Sequence, residues 1–331
     1  MKKNLHTFLA QHLQGEHADG LNAILSNVEQ AIKKIAVTID EGAIAGNMGS
    51  LISENVQGEV QKTLDVMTND IFVEAVQASG YIAGMVSEEV IDPIKATAAA
   101  SKGQYLLCFD PLDGSSNVNV NISVGTIFSV LKANNSQPEL VDFLQAGTEQ
   151  ICAGYALYGT STMLVLTTGK GVNGFTLDKA ANQFVLTHPN MQIPIETSEF
   201  AINMSNYRFW QEPVQRYIDE CLQGTEGERD KDFNMRWVAS MVAEVHRILV
   251  RGGVFMYPSD AKNKNGKLRL MYEANPMSFI IEQAGGGSTT GAQRVLELNP
   301  TGIHQRVPIM LGSKNEIDRI ASYHSAKKKK R

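Results

Sequence analysis

The chain has 331 residues, 43% apolar and 20% charged, a composition that excludes disordered, collagen-like and membrane classes. Its net charge is −5, and Lys327 to Arg331 supply five of its 30 basic residues, so the rest sets 25 cations against 35 anions. That acidic body excludes a general nucleic-acid binder, whose phosphate contacts need Lys and Arg, and it would repel a phosphorylated substrate unless something neutralises the carboxylates.

At about 150 residues per domain, the length fits two domains. Met1 to Gln14 holds Lys2 and Lys3 but no continuous apolar core, so no signal peptide is expected. Leu21 to Ile39 carries apolar residues at helical spacing (Leu21, Ile24, Leu25, Val28, Ile32, Ile35) and predicts an amphipathic helix. Thr63 to Ala78 reads likewise. The apolar runs Ile82 to Val86 and Tyr105 to Phe109 predict buried strands, and the alternation of Val118, Val120, Ile122 and Val124 predicts another. Gln150 to Gly169 is 20 residues without a charge. Its apolar stretches are short and rich in β-formers, so it reads as buried strand rather than a membrane span.

Strand patterns continue at Tyr155 to Leu166, Gly174 to Leu177 and Phe184 to Leu186. Met235 to Arg251 predicts a strong helix closed by Gly252. Val254 to Tyr257 and Leu268 to Tyr272 predict strands. Asn275-Pro276 predicts a helix start with Asn at N-cap and Pro at N1, and Gly285 its end. Glu316 to Tyr323 predicts a last helix. Helices and strands interleave without βαβ regularity, so a layered α/β or α+β fold is expected. The organisation expected is residues 1–195 as helices plus a sheet carrying the site loops, 196–326 as a second α/β domain, and 327–331 as a solvated basic tail. Cys108, Cys152 and Cys221 are odd in number, widely spaced and outside any CxxC. They fit a reduced, cytoplasmic compartment without disulfides or a zinc site.

The segment that carries chemistry is Asp110-Pro111-Leu112-Asp113-Gly114-Ser115-Ser116-Asn117, directly after an apolar strand, where sites lie in open α/β sheets. It offers two carboxylates as hard oxygen ligands and, after Gly114, amides that suit a phosphate. Ser87-Glu88-Glu89 ends another apolar run, and on an irregular strand end both carboxylates can reach one pocket. Glu59 and Asp65 flank a helix start, and Glu273 stands just before Asn275-Pro276. Mg²⁺ is held by a few carboxylates plus substrate phosphate, and paired ions can clamp the attacking and leaving oxygens.

The octapeptide with its upstream Glu pair resembles the lithium-sensitive, metal-dependent phosphatases that include inositol monophosphatases. Within them, Gly58 to Asp70, Ser87 to Glu89, Asp110 to Asn117, Ser123 to Phe128, Ala153 to Leu166, Gly266 to Pro276 and His304 to Arg306 resemble class I fructose-1,6-bisphosphatase. The resemblance implies a five-layered α-β-α-β-α sugar-phosphatase fold and a homotetramer. It also implies hydrolysis of the 1-phosphate of fructose 1,6-bisphosphate, a step of gluconeogenesis, with two or more Mg²⁺ per site and Mn²⁺ or Zn²⁺ as alternatives.

It further implies Glu88, Glu89, Asp110, Asp113, Glu273 and the Leu112 carbonyl as metal ligands. Glu89, Glu59 and Asp65 match the groups that orient and deprotonate water. Asp113, Gly114, Ser115, Ser116 and Arg269 match the 1-phosphate cradle. Lys267, Tyr257, Asn203 and Arg236 match sugar and 6-phosphate contacts, the Arg lent by a neighbouring subunit. Asn206 and Tyr207 compete for one role there. Trp237 stands where the family commonly has Tyr, which keeps a stacking surface but loses a phenol donor. The threonine-rich AMP loop of the family is not recognisable in Gly15 to Leu21, and Gln104-Tyr105 has Gln where Lys is common. The nearest rival is a relative acting on inositol phosphates, sedoheptulose bisphosphate or a nucleotide 3′-phosphate. The remote rival is a non-catalytic sugar-phosphate sensor.

Overall fold

Two sheets organise the chain. In the computed structural model, which describes residues 3–42, 51–54, 60–96 and 102–328, α1 (Leu5–His12) and α2 (Ala18–Glu41) come first. A hairpin of β1 (Leu51–Glu54) and β2 (Val60–Lys62) then leads into α3 (Thr63–Gln77). The first sheet contains β3 (Ile82–Ser87), β4 (Ile94–Lys95), β5 (Tyr105–Asp113), β6 (Val124–Lys132), β7 (Cys152–Tyr158), β8 (Thr162–Thr167), β9 (Val172–Asp178) and β10 (Gln183–Met191). The short α4 (Leu140–Phe143) lies between β6 and β7. The strand order is β10-β9-β8-β7-β6-β5-β3-β4, and β3 runs parallel to β5.

The second sheet joins β11 (Glu199–Ala201), β12 (Asn234–Met235), β13 (Val254–Tyr257), β15 (Gly287–Thr289) and β17 (Ile309–Gly312) in the order β12-β11-β13-β17-β15. Around it run α5 (Glu212–Gln223), α6 (Met241–Arg251), α7 (Asn275–Gln283) and α8 (Lys314–Lys328). A two-stranded ribbon pairs β14 (Leu268–Arg269) with β16 (Arg306–Val307).

The layers follow from period two, because successive strand side chains face opposite sides. Cys152, Ala156, Leu164 and Leu166 pack on Ile24, Val28 and Ile32 of α2 and Phe72 of α3. Their neighbours Ala153, Tyr155 and Val165 face the other way, onto Val242 and Val245 of α6 and Met277, Ile280 and Ile281 of α7. The same core takes in Phe255, Ile309 and Leu311 from one face of the second sheet. Phe200, Val254, Met256 and Met310 present its other face to Val214, Tyr217 and Ile218 of α5 and Ile317 and Ile320 of α8. The result is an α-β-α-β-α sandwich. Each large apolar side chain so buried contributes about 2 kcal/mol, so a charge at Tyr155 or Val245 would break the joint between sheet and middle helices.

Several expectations need correction. Val118 to Val124 is not a strand. Residues Ser115–Val120 form a 3₁₀ helix, Val120 and Ile122 are exposed, and β6 starts only at Val124. The alternation is chance, because Asn121 turns the chain with φ 56°. Met235 to Arg251 is helical only from Met241, since Ala239 adopts φ 60° and Ser240 caps the helix by accepting from the Ala243 N–H at 3.4 Å. Leu268 to Tyr272 is a strand for two residues and then a π-helical turn, Leu270–Ala274, that runs straight into α7. Asn275 is therefore helical and not an N-cap. The last helix extends through Lys328, so the first two residues of the basic tail are helical and 329–331 lie outside the described residues. The uncharged stretch Gln150 to Gly169 is the β7–β8 hairpin, and no described helix is long and apolar enough to cross a membrane. All three cysteines are free and buried, and burial pushes each thiol up to about 12.

Candidate active site

A bulge aims the two aspartates of the octapeptide. Residues three apart on a regular strand face opposite sides. Here Asp110 pairs with Ile127 and Asp113 with Gly125, so β5 holds one residue more than β6 across this interval. The extra residue flips the phase and puts both carboxylates on one side. The Leu112 N–H donates to Asp110 Oδ1 at 2.9 Å, and the Thr126 hydroxyl donates to the Pro111 carbonyl at 2.8 Å, which fixes the bulge. Gly125 is required opposite it, because a Cβ there would lie 2.6 Å from Val242 of α6. Gly114 follows at φ 75° and starts the 3₁₀ turn of Ser115 and Ser116.

Glu273 joins them from the π-helical turn. It accepts from the Arg269 N–H at 2.5 Å, a bond that ties the turn back to β14. Ligand oxygens of Asp110, Asp113 and Glu273 lie within 4.8 Å of one another, all buried. Burial drives the Asp110 carboxyl well above the usual range, and Glu88, Asp113, Glu273 and Glu89 add repulsion. Glu273 is raised by burial and Glu88. Burial pushes Asp113 up to about 6, against hydrogen bonds from Val242, Ser240 and Met241 that favour its anion. Asp113 Oδ2 accepts from the Val242 N–H at 3.1 Å and the Ser240 hydroxyl at 3.3 Å, at the N-terminus of α6. Three buried carboxylates in mutual contact are costly alone and suit a hard divalent cation, whose charge cancels their repulsion.

Glu88 and Glu89 lie just past the end of β3. The Ser87 hydroxyl donates to Asn69 of α3 at 2.7 Å and accepts from the Glu89 N–H at 3.2 Å. That relay sets Glu89 beside α3, which carries the buried Asp65 in its first turn. Arg269 lies 3.3 Å from Glu88.

One pocket of about 450 Å³ collects Asp65, Glu88, Glu89, Asp110, Leu112, Asp113, Gly114, Ser115, Ser116, Trp237, Tyr257, Lys267, Arg269 and Glu273. Asn203 and Asn206 line an adjoining crevice against Trp237 and Tyr257. Tyr207 turns away, its hydroxyl donating to Asp219 of α5 at 2.7 Å, so of the two competitors Asn206 is the one near the pocket. Arg236 does not line the pocket; its Nε is 3.5 Å from Glu199. Glu59 lies outside the described residues.

Sequence reasoning missed Ala239, Ser240, Met241 and Phe255, which also line the pocket. Ser240 carried a signal. A serine before an apolar stripe marks an N-cap, but Met235, Trp237 and Val238 carry the helical spacing past it.

The residues 5–189 match the family model for the fructose-1,6-bisphosphatase N-terminal domain. Residues 193–325 match that for the C-terminal domain. The chain is 61% identical over 308 residues to a class 1 fructose-1,6-bisphosphatase of Halorhodospira halophila, covering 91% of each. The crystal structure of Leishmania major fructose-1,6-bisphosphatase in holo form superposes with a TM-score of 0.92 at 36% identity, over 98% of this chain and 99% of that one. The apo form gives 0.85 at 34% identity, over 98% and 100%. The chain belongs to the class 1 fructose-1,6-bisphosphatase family.

Proposed function

We propose that this chain hydrolyses the 1-phosphate of fructose 1,6-bisphosphate, giving fructose 6-phosphate and phosphate, with Mg²⁺ as the metal. The observation that carries the metal reading is the buried triad of Asp110, Asp113 and Glu273 in one pocket with Lys267 and Arg269. The triad, with Glu88 and the Leu112 carbonyl, would hold the cations. When bound, they supply a Lewis acid for the phosphoryl group and acidify water.

The residues of the chain do the rest. Amides of Gly114 to Ser116 and the Arg269 guanidinium receive the 1-phosphate. Glu89, tied by the Ser87 relay to the helix that carries Asp65, takes the proton of the attacking water, and Asp65 orients it; Glu59 is assigned to the same task by resemblance. Lys267, whose Nζ is 5.7 Å from the Tyr257 ring centroid, meets the sugar and 6-phosphate together with Asn203 and Asn206. Catalysis is positioning plus charge stabilisation.

Arg236 is absent from the lining of its own chain's pocket, which leaves it to serve a neighbouring subunit as the resemblance implies, and we assign a homotetramer acting in the cytoplasm. The chain crosses between the sheets after Met191 and before Glu199, which supports the division near residue 195. A phosphate-release assay with fructose 1,6-bisphosphate and inositol 1-phosphate, with Mg²⁺ and with EDTA, tests the reading. Turnover confined to the bisphosphate and to Mg²⁺ is expected. Equal rates with EDTA, or preference for the inositol phosphate, would overturn it.

A further inference from the structure

A second cleft is larger than the catalytic pocket. A cleft of about 1170 Å³ lies between the 259–265 loop, the 290–293 turn, the 298–308 segment and α8. Its character is the reverse of the catalytic pocket. Six carboxylates line the latter, whereas none of the described residues lining the cleft is Asp or Glu. Lys264, Arg306 and His324 contribute cationic or imidazole groups, and Asn265, Thr290 and Gln305 contribute amides and a hydroxyl.

Two of these groups have unused donors. Lys264 forms no ion pair with any described residue. The Oε1 of Gln305 already accepts from the Thr301 N–H at 2.7 Å and from its hydroxyl at 3.0 Å, which leaves the Nε2 hydrogens to donate. In a chain of net charge −5, a cleft with cations and amide donors and no carboxylate among its described lining residues concentrates anions.

We propose that this cleft binds a small phosphate-bearing metabolite, held by Lys264, Arg306 and Gln305. Phosphate suits these groups, with oxygens enough to take charge-assisted bonds from Lys and Arg and a neutral one from the amide at once. The volume admits a molecule the size of a sugar phosphate. An occupant would also bear on the catalytic ribbon. Arg306 pairs in register with Arg269, and the Gln305 carbonyl accepts from the Leu270 N–H at 2.7 Å, at the head of the turn that holds Glu273. The cleft thus touches, through two residues of backbone, the strand that carries a phosphate ligand of the active site.

The test is equilibrium dialysis of labelled inorganic phosphate against the Mg²⁺-loaded full chain, comparing wild type with the Lys264→Glu, Gln305→Glu double variant. Both positions sit at the surface of the cleft, and neither belongs to the catalytic pocket, so kcat is expected to stay within about twofold as a check on folding. The variant is expected to lose one equivalent of bound phosphate, its affinity there falling by about tenfold or more. An Asp113→Asn variant is expected to keep that equivalent, which separates the cleft from the catalytic site. Phosphate binding by the double variant equal to wild type, or loss of the same equivalent in Asp113→Asn, would overturn the proposal.

Discussion

The floor and the wall of the catalytic pocket are built on opposite plans. On the floor, Asp110, Asp113 and Glu273 are at most 7% exposed, and backbone N–H groups of Leu112, Val242 and Arg269 fix each carboxylate. On the wall, Lys267 is exposed, and Trp237 and Tyr257 are only partly buried. Trp237 stacks parallel to Phe255 at a centroid distance of 6.1 Å, and a cation–π contact links Lys267 to Tyr257. The floor is placed by backbone and has little freedom. The wall is placed by long side chains that can adapt. Rigidity therefore sits where charge must be positioned for chemistry, and freedom sits where a sugar must enter and leave.

The floor should break most sharply. Asp113→Asn keeps an oxygen that can accept from Val242 or Ser240 but removes one ligand charge. It is expected to lower kcat on the order of a thousandfold, while the melting temperature in EDTA holds or rises because a repelling buried charge is gone. Steady-state kinetics and a thermal melt on the same preparation check both halves. Near-normal kcat would remove Asp113 from the metal site.

Protons should compete with metal on the same floor. The Asp113 carboxyl is raised from 3.8 to about 6 in the folded, metal-free chain. The folded state therefore holds a proton that the unfolded state releases between those values, so this group costs stability as pH rises from about 4 to about 6 and fully so above it. Bound Mg²⁺ relieves that cost only where the carboxylate is ionised. The rise in melting temperature on adding Mg²⁺ is expected to be large at pH 7.5 and to shrink below pH 6, with apparent affinity falling by up to about tenfold per pH unit. A metal-induced shift that does not change with pH would contradict the assignment.

Legibility in the sequence divides along the same line. Helices α2 and α3 and strands β3, β5, β7 and β8 were readable because burial on one face or both leaves a period in the residues. Asp110 and Asp113 were readable as a pair because both sit on one strand end. What joins them on one side, the single extra residue of the β5 bulge, leaves no mark in hydrophobic pattern, since both neighbours of the bulge are buried. Glu273 was readable as a candidate carboxylate before Asn275-Pro276, but only the resemblance joined it to the two aspartates. The sequence around it reads as strand then N-cap, whereas a π-helical turn folds it back beneath Arg269. The 235–240 segment reads as helix in sequence because its apolar residues, Met235, Trp237 and Val238, continue the spacing of α6. What stops the helix is a buried carboxylate, Glu244, which takes the Val238 N–H at 2.6 Å and so spends it outside the helical ladder.

On the wall the expected effects are smaller and fall on KM. Lys267→Met removes one exposed cation and keeps the stem that crosses Tyr257. For fructose 1,6-bisphosphate, KM is expected to rise by about tenfold or more with kcat within about threefold, the pattern of lost ground-state binding. With fructose 1-phosphate, which lacks the second phosphate, the same substitution is expected to change KM far less. An equal loss on both substrates would move Lys267 from the recognition wall to the chemistry.

Trp237 offers the finest discrimination between the two plans. Its ring lies 6° from parallel with Phe255, so its hold on the wall is aromatic surface, which Tyr also provides. Tyrosine would add a phenol hydroxyl that indole lacks, and the adjoining crevice with Asn203, Asn206 and Tyr257 is where that hydroxyl would emerge. Trp237→Tyr is therefore expected to leave kcat unchanged and to lower KM for the bisphosphate by about threefold, the worth of one modest hydrogen bond. Trp237→Phe, with the surface but no donor, is expected to leave KM near wild type. If Tyr and Phe act alike, the wall reads the sugar by surface alone, and the second phosphate is recognised by Lys267 and a neighbouring subunit rather than by this ring.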